Sequence, residues 1–425
     1  MNILLGVLIG LFCLLFLVTA HEFGHFIMAR KNGVKVLEFG IGFPPRAIAW
    51  VKTSDGKWQK LKKSDWKKPQ SGLVFSLNWL PIGGFCQMDG ESDADDRKGT
   101  FGASSFWAKT KILFGGVLMN WLVAFLTFTI LAWTGMPIFL DHQFSVESDR
   151  TLDYTPVTVT SVVENSPAAR AGIKPQDHIL KANGEELISA TDLTEFNAAH
   201  AGETVTFEIQ HAITAIDGNS EPSYFCNENP TGSVRIVSYC PEEIEITLND
   251  KDNEWGYYLG VTMASDTVYA HYTWSAPIVG LGTTLQLTGE TFRGVGVTLW
   301  NLVSGAFSQL SFDGTTREAG RAAISTAGDS VTGPVGIIGV IFPAFAKTGF
   351  NNIAFLFALI SVSLACMNVL PVPALDGGRW LMIAIARLRH KRLTKETEEK
   401  IVSRALIVLL GLMVLITILD ITRFF

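Results

Sequence analysis

The run ILLGVLIGLFCLLFLVTAHEFGH occupies residues 3–25 and joins a long apolar segment to a group of polar side chains. Residues 3–20 carry no charge, and a helix of about 20 residues crosses the hydrocarbon core, so the run predicts a membrane-spanning helix. A cleaved signal peptide is the alternative. It would need a positively charged start, and the first four residues contain neither Lys nor Arg. We therefore expect the segment to remain in the protein.

Composition extends this prediction to the rest of the chain. Of the 425 residues 48% are apolar and 17% are charged, against about a quarter charged in a soluble domain, which excludes a wholly soluble protein. Further uncharged runs predict spans at residues 112–140, 349–375 and 405–419. Residues 278–307 mix apolar residues with Gln286, Glu290 and Arg293. This favours an amphipathic helix at the membrane interface, although a span stays an alternative.

The charges between the predicted spans give an orientation. Residues 30–68 contain 11 basic and 3 acidic residues, residues 151–263 contain 5 basic and 18 acidic residues, and residues 387–404 contain 7 basic residues. Basic segments beside spans stay in the cytosol, so both termini and residues 151–263 are expected outside it. The net charge of −6 argues against a chain-wide basic surface for nucleic acid.

The acidic segment 151–263 has alternating apolar residues and turn residues, which predicts a soluble β-rich domain with short helices. Its run NSPAARAGIKPQDHILKANG at residues 165–184 resembles the bacterial PDZ domain, a family that binds peptides at a sheet edge. The resemblance implies that Tyr258, Leu259 and Gly260 belong to the peptide-binding strand and carboxylate loop. An ordinary closing strand is the alternative. Cys226 and Cys240 in this domain are either a disulfide or two thiols.

The polar group at residues 21–25 predicts a metal site. His21 and His25 are four residues apart, so on a helix they lie on one face and can share a zinc ion, while Glu22 can act as a base beside them. Zinc needs a third ligand. The other histidines fall in the predicted outside region or in the cytosolic basic segment. Asp376 follows the third predicted span and returns to the same membrane side; capping of the restarting helix is an alternative or additional role.

Two motifs together carry a wider resemblance. HEFGH at residues 21–25 and NVLPVPALDGGR at residues 368–379 resemble the site-2 protease family of intramembrane zinc metalloproteases, and the domain between the spans resembles its regulator-of-sigma-E protease branch, here with a single PDZ domain. Further similar segments are FGIGFPPR at 39–46, SLNWLPIGGF at 76–85, Gly116 with Asn120, and TGPVGI at 332–337.

The resemblance implies a set of roles. His21, His25 and Asp376 would bind Zn²⁺ and Glu22 would be the general base. Asn368 would hold the substrate backbone, and the loop with Gly83 and Gly84 would present an edge strand to the substrate.

The implied fold is a polytopic α-helical membrane protein with about four transmembrane helices, a membrane-reentrant β-loop and an inserted extracytoplasmic PDZ domain. The predicted segments are 1–30 (first span), 31–111 (cytosolic segment and β-loop), 112–140 (second span), 151–263 (PDZ domain), 275–345 (interfacial helical region), 349–386 (third span), 387–404 (cytosolic basic segment) and 405–425 (fourth span).

The implied function is cleavage of single-span membrane proteins, such as anti-sigma factors and remnant signal peptides, in the bacterial inner membrane. The partners would be these substrates and the lipid bilayer, with no nucleic acid. A membrane-anchored PDZ adaptor and an inactive homologue are the alternatives. A transporter would show internal repeats, which the chain lacks.

Overall fold

The computed structural model describes residues 3–53, 55–66, 68, 70–140, 142–153, 157–187, 190–211, 241–250, 256–263, 268–310, 313–329, 331–390 and 393–424. It divides into two compact units. The larger unit contains residues 1–136, 142–149 and 272–425, and the smaller one contains residues 137–141 and 150–271. Cys226 and Cys240, and with them the predicted disulfide, lie outside the described residues.

The helices are α1 (Ile3–Lys31), α2 (Phe106–Thr134), α3 (Pro167–Arg170), α4 (Ala190–Ala199), α5 (Ala276–Gln309), α6 (Gly314–Asp329), α7 (Pro334–Gly336), α8 (Phe342–Lys347), α9 (Phe350–Val369), α10 (Asp376–Leu388) and α11 (Lys395–Phe424). A π-helical turn, Ile337–Ile341, joins α7 to α8. The strands are β1 (Val36–Lys52), β2 (Trp58–Lys60), β3 (Val74–Met88), β4 (Met136–Pro137), β5 (Thr151–Asp153), β6 (Val157–Val162), β7 (His178–Ala182), β8 (Glu185–Glu186), β9 (Thr204–Gln210), β10 (Glu242–Thr247), β11 (Val261–Met263) and β12 (Tyr269–His271).

Among the described residues, helices α1, α2, α9 and α11 are long and apolar enough to cross a membrane, so the chain is a multi-pass membrane protein. The prediction of four spans is confirmed, but several helix ends differ: α11 begins at Lys395 and not at residue 405, and α2 ends at Thr134 and not at residue 140. Helix α2 starts at Phe106 because the Ser105 hydroxyl caps it, accepting the Ala108 N–H at 3.2 Å. Helix α9 ends at Val369, just before Pro371 and Pro373, which cannot continue a helix.

Helix α5 lies in the region predicted to form an interfacial helix, and its first half packs closely on α2. A Cβ on Gly280 would lie 2.4 Å from Thr129 Oγ1, and Trp121 Nε1 donates to Thr288 Oγ1 at 3.3 Å, so α5 runs antiparallel to α2. Since α2 is a candidate span, the first half of α5 packs along a candidate span. The small residues Gly280, Thr283 and Thr284 allow this close approach. Helix α5 is not itself among the candidate spans of the described residues, and its interfacial location stays a prediction.

Strands β1 and β3 both bend, and they pair twice. Residues 36–41, in the first half of β1, pair with residues 84–88 on one side and with residues 74–77 on the other. The second half of β1 pairs with residues 74–78 and with β2. Asn78 supports the bend of β1 by donating to Gly42 O at 3.0 Å. Residues 84–88 pair with β1 on one side, and no described strand pairs with their other side. They therefore form an edge.

The smaller unit is β-rich with short helices, as predicted. Its main sheet has the order β10-β9-β7-β6-β11, with β8 paired to β7. The core of this unit is made of alternate strand residues that are fully buried, including Val157, Val159, Ile179, Phe207 and Ile209. Leu193 of α4 packs against this core. The alternation of apolar residues in the sequence predicted this sheet correctly, because one face of the sheet is buried.

Candidate metal centre

Helix α1 places His21, Glu22 and His25 within one helical turn in the interior of the larger unit. The helix continues without interruption to Lys31, and the two imidazoles are buried, with 8% and 7% of their surface exposed. Their ring centroids lie 4.7 Å apart at an interplanar angle of 84°. The four-residue spacing therefore brings both rings to one point, as the sequence predicts.

Asp376 reaches the same point from the end of a non-helical segment between two helices. Helix α9 ends at Val369, and α10 restarts at Asp376. Between the two helices the backbone folds closely on itself: a Cβ on Gly377 would lie 2.1 Å from Val369 O, and one on Gly378 would lie 2.0 Å from Val372 O. Only glycine fits both positions. Leu375 is the N-cap of α10, so the prediction that Asp376 itself caps the helix is wrong; it is the first helical residue.

Three potential ligand atoms converge here. His21 Nε2 lies 3.0 Å from Asp376 Oδ2, His25 Nε2 lies 3.3 Å from the same oxygen, and the two Nε2 atoms are 3.1 Å apart. Ligands at zinc bond lengths of about 2.0–2.1 Å in a tetrahedron are separated by about 3.3 Å. The triangle thus fits zinc, and its donor set of two imidazoles and one carboxylate is typical of catalytic zinc sites.

A backbone carbonyl orients one of the imidazoles. His25 Nδ1 lies 2.8 Å from Ile112 O in α2, and this contact assigns the ring proton to Nδ1 and leaves Nε2 free to bind a metal. His21 Nδ1 is buried and has no hydrogen-bond partner among the described residues. The two rings are therefore supported differently, His25 by a hydrogen bond and His21 by packing.

Glu22 faces the edge strand and is not part of the converging group. A Cβ on Gly84 would lie 3.7 Å from Glu22 Cγ, and the backbone of Cys86 interacts with the Glu22 carboxylate. Burial raises the pKa of the Cys86 thiol to about 12, and the nearby charge of Glu22 adds to this effect. The carboxylate is thus held between the candidate metal site and the edge formed by residues 84–88.

Glycines at the crossing of α1 and α2 were not among the site residues predicted from the sequence motifs. A Cβ on Gly24 would lie 2.1 Å from Gly115 O, and one on Gly116 would lie 2.7 Å from His21 Nδ1. The sequence signal that could have identified these glycines is the presence of small residues in two neighbouring apolar helices. Further along α2, the buried side chain of Asn120 has neither amide atom bonded to a described residue.

The other predicted residues are not members of the group of potential ligand atoms. Asn368 donates from Nδ2 to Leu364 O of its own helix at 3.0 Å. Gly83 adopts a φ of +77°, and Gly84 lies in the edge strand. In the smaller unit Tyr258, Leu259 and Gly260 lie directly before β11; Leu259 is buried in the core, and Gly260 has a φ of +82°. Their role in a peptide-binding strand and carboxylate loop stays a prediction.

Comparison with known proteins gives the family. The model of peptidase family M50 matches residues 9–61 and 59–413. A Clostridium perfringens protein is 30% identical over 406 residues, covering 95% of each chain. An Agrobacterium fabrum protein is 24% identical over 96% of this chain and 93% of its own, and one from Rhizobium meliloti is 25% identical over 90% and 87%.

All three relatives bear the name "Putative zinc metalloprotease". The family match covers nearly the whole chain and confirms the resemblance to site-2 proteases. The chain therefore belongs to peptidase family M50 and is a zinc metalloprotease.

Proposed function

We propose that this protein is an intramembrane endopeptidase of a bacterial inner membrane that cleaves single-span membrane proteins by regulated intramembrane proteolysis. The observation that carries the proposal is the convergence of His21, His25 and Asp376 beside helices long enough to span. Ionisable groups at membrane depth are costly and are retained for function. These three residues are the proposed zinc ligands.

The chemistry follows from the neighbours of this group. Zinc bound there would polarise the scissile carbonyl and make water more acidic. Glu22, adjacent in sequence and absent from the ligand group, takes the proton from the attacking water. Its position beside the edge strand puts the base where an extended substrate would lie.

The edge strand addresses a second requirement of the reaction. A helix in lipid has every backbone amide paired, so its peptide bonds must be unwound before cleavage. Residues 84–88 have an unpaired edge with which an extended substrate segment can pair. The bends of β1 and β3 expose Phe43, Trp79 and Leu80, by 44%, 71% and 51%, which supports re-entry of this sheet into the membrane.

We also propose the finer roles implied by the family resemblance. Asn368 would bind the substrate backbone after its side-chain amide leaves Leu364 O. The smaller unit would act as an extracytoplasmic PDZ domain that admits substrates whose ectodomain has been removed, with Tyr258 and Gly260 near its peptide-binding edge. Anti-sigma factors and remnant signal peptides are the proposed substrates.

The decisive experiment is the substitution Glu22→Gln in protein reconstituted with a panel of single-span substrates. We expect cleavage to be abolished, because the amide cannot accept a proton, while the zinc content measured by metal analysis stays unchanged. Asp376→Asn is the companion variant and should lower zinc content as well as cleavage.

A membrane-anchored PDZ adaptor predicts a different outcome. It would bind the same substrates without cutting them, and Glu22→Gln would change nothing. Cleavage by the Glu22→Gln variant at the wild-type rate would contradict the proposed enzyme mechanism.

A further inference from the structure

Thr19 carries a buried hydroxyl that the proposed reaction does not yet use. Its Oγ1 is buried and has no hydrogen-bond partner among the described residues. It lies three residues before Glu22 on α1, so both side chains share one face of the helix. A buried donor without a partner is unfavourable, and such a group in a folded protein calls for an explanation.

Most threonines in helices α2 and α5 hydrogen-bond to their own helix. Seven hydroxyls there donate to the carbonyl oxygen four residues earlier at 2.6–3.0 Å, those of Thr110, Thr127, Thr129, Thr134, Thr284, Thr288 and Thr291. Thr283 instead donates to Met136 Sδ at 3.9 Å. Threonine in a helix chooses between two rotamers, one of which makes this bond. The Thr19 hydroxyl lacks the bond, so it is available to a group outside the helix.

The space next to Thr19 is the one that borders the base and the edge strand. A Cβ on Gly84 would lie 3.7 Å from Thr19 Oγ1 and 3.7 Å from Glu22 Cγ. The Thr19 hydroxyl, the Glu22 side chain and the edge strand therefore meet at one point. Because residue 84 is glycine, no side chain fills that point.

We propose that Thr19 is a substrate-binding residue whose hydroxyl donates to a backbone carbonyl oxygen of the extended substrate beside Glu22. The inference rests on the proposed function. A substrate strand that pairs with residues 84–88 leaves the carbonyls of its other edge without partners in a region of low polarity. The Thr19 hydroxyl donates a hydrogen bond to one of these carbonyls. The same bond gives the hydroxyl the partner that it lacks in the free protein.

The test compares Thr19→Val with Thr19→Ser in the full-length protein, with a single-span substrate that the wild type cleaves. Valine keeps the shape and loses the hydroxyl, and serine keeps the hydroxyl. Since the bond forms in the bound substrate as well as in the transition state, we expect Thr19→Val to raise KM by about tenfold with kcat nearly unchanged. Thr19→Ser should restore KM. Thr127→Val, which removes a hydroxyl bonded to its own helix, is the matched control and should leave KM unchanged.

Zinc content and Tm separate binding from folding. Thr19→Val should retain zinc and should not lower the Tm, because it removes an unpartnered polar group. An unchanged KM, or a rise in KM accompanied by loss of zinc or of Tm, would overturn the inference. If the wild type itself cleaves no substrate, the proposed function fails; if the wild type cleaves, Glu22→Gln does not, and Thr19→Val retains the wild-type KM, only the present inference fails.

Discussion

Gly116 lies directly against the imidazole of His21 and shows how single residues determine the metal site. A Cβ at this position would approach His21 Cε1 to 2.6 Å, closer than any real contact. His21 has no hydrogen bond from Nδ1 to hold it among the described residues, so packing against Gly116 is what orients the ring. The absence of a side chain at residue 116 is therefore a requirement of the proposed zinc site.

We expect Gly116→Ala to displace the His21 ring and to lower zinc affinity by about tenfold or more, with a parallel loss of cleavage, as for other groups that orient metal ligands. Chelator competition and metal analysis would measure this effect. Gly411→Ala is the matched control, because a Cβ on Gly411 meets nothing within 4 Å. Wild-type zinc affinity in Gly116→Ala would contradict the role of packing.

At the scale of elements, α11 is attached to the larger unit mainly through carboxylates near its two ends. Asp420, 3% exposed, accepts the N–H groups of Gly333 and Gly336 at 3.1 and 2.8 Å. Near the other end Glu398, 6% exposed, accepts the N–H of Asp93 at 3.1 Å. Most apolar side chains between these two residues are exposed, as expected for a helix that faces lipid. Hydrogen bonds therefore hold α11 to the larger unit to a large extent, whereas packing of apolar side chains holds the other helices.

The substitution Asp420→Ala should destabilise the protein by about 2–3 kcal/mol, because it leaves two buried N–H groups without an acceptor. Thermal unfolding in detergent would show this as a lower Tm. Thr417→Ala, one turn earlier on the same helix, removes a hydroxyl bonded only to Met413 O and should have little effect. Equal Tm values for the two variants would show that α11 is held in another way.

At the scale of the whole molecule, the uneven distribution of charge predicts the orientation in the membrane. The segment of residues 30–68, with its 11 basic residues, follows α1, while the segment of residues 151–263, with its 18 acidic residues, follows α2. Translocation of Lys and Arg is disfavoured, so the two segments are expected on opposite sides. The predicted orientation would give both termini an extracytoplasmic location.

Cysteine labelling of intact cells tests the orientation. In a Cys226→Ser/Cys240→Ser background, Glu185→Cys should react with a membrane-impermeant maleimide, and Lys57→Cys should react only after permeabilisation; both residues are exposed. The remaining cysteines give little background, because Cys13 and Cys366 are buried and the pKa of Cys86 is raised to about 12. Labelling of Lys57→Cys in intact cells would reverse the predicted topology.

The number of spans was predictable because the bilayer imposes a minimum apolar length on each helix. The ends of α2 and α9 were predicted less well, because they depend on the cap at Ser105 and on the prolines after Val369, and not on hydropathy. The packing of α5 on α2 could not be predicted from hydropathy for a related reason: it depends on small residues such as Gly280.

The sequence by itself determined the pair His21 and His25, since the helical period alone puts residues four apart on one face. It also pointed to Asp376, through the order of the spans and the motif around that residue. Only the tertiary structure decided that Asp376 Oδ2 lies 3.0 and 3.3 Å from the two imidazoles and that Thr19 meets Glu22 and Gly84 at one point. Such distances depend on how glycines let distant helices approach, and local patterns along the chain do not contain that information.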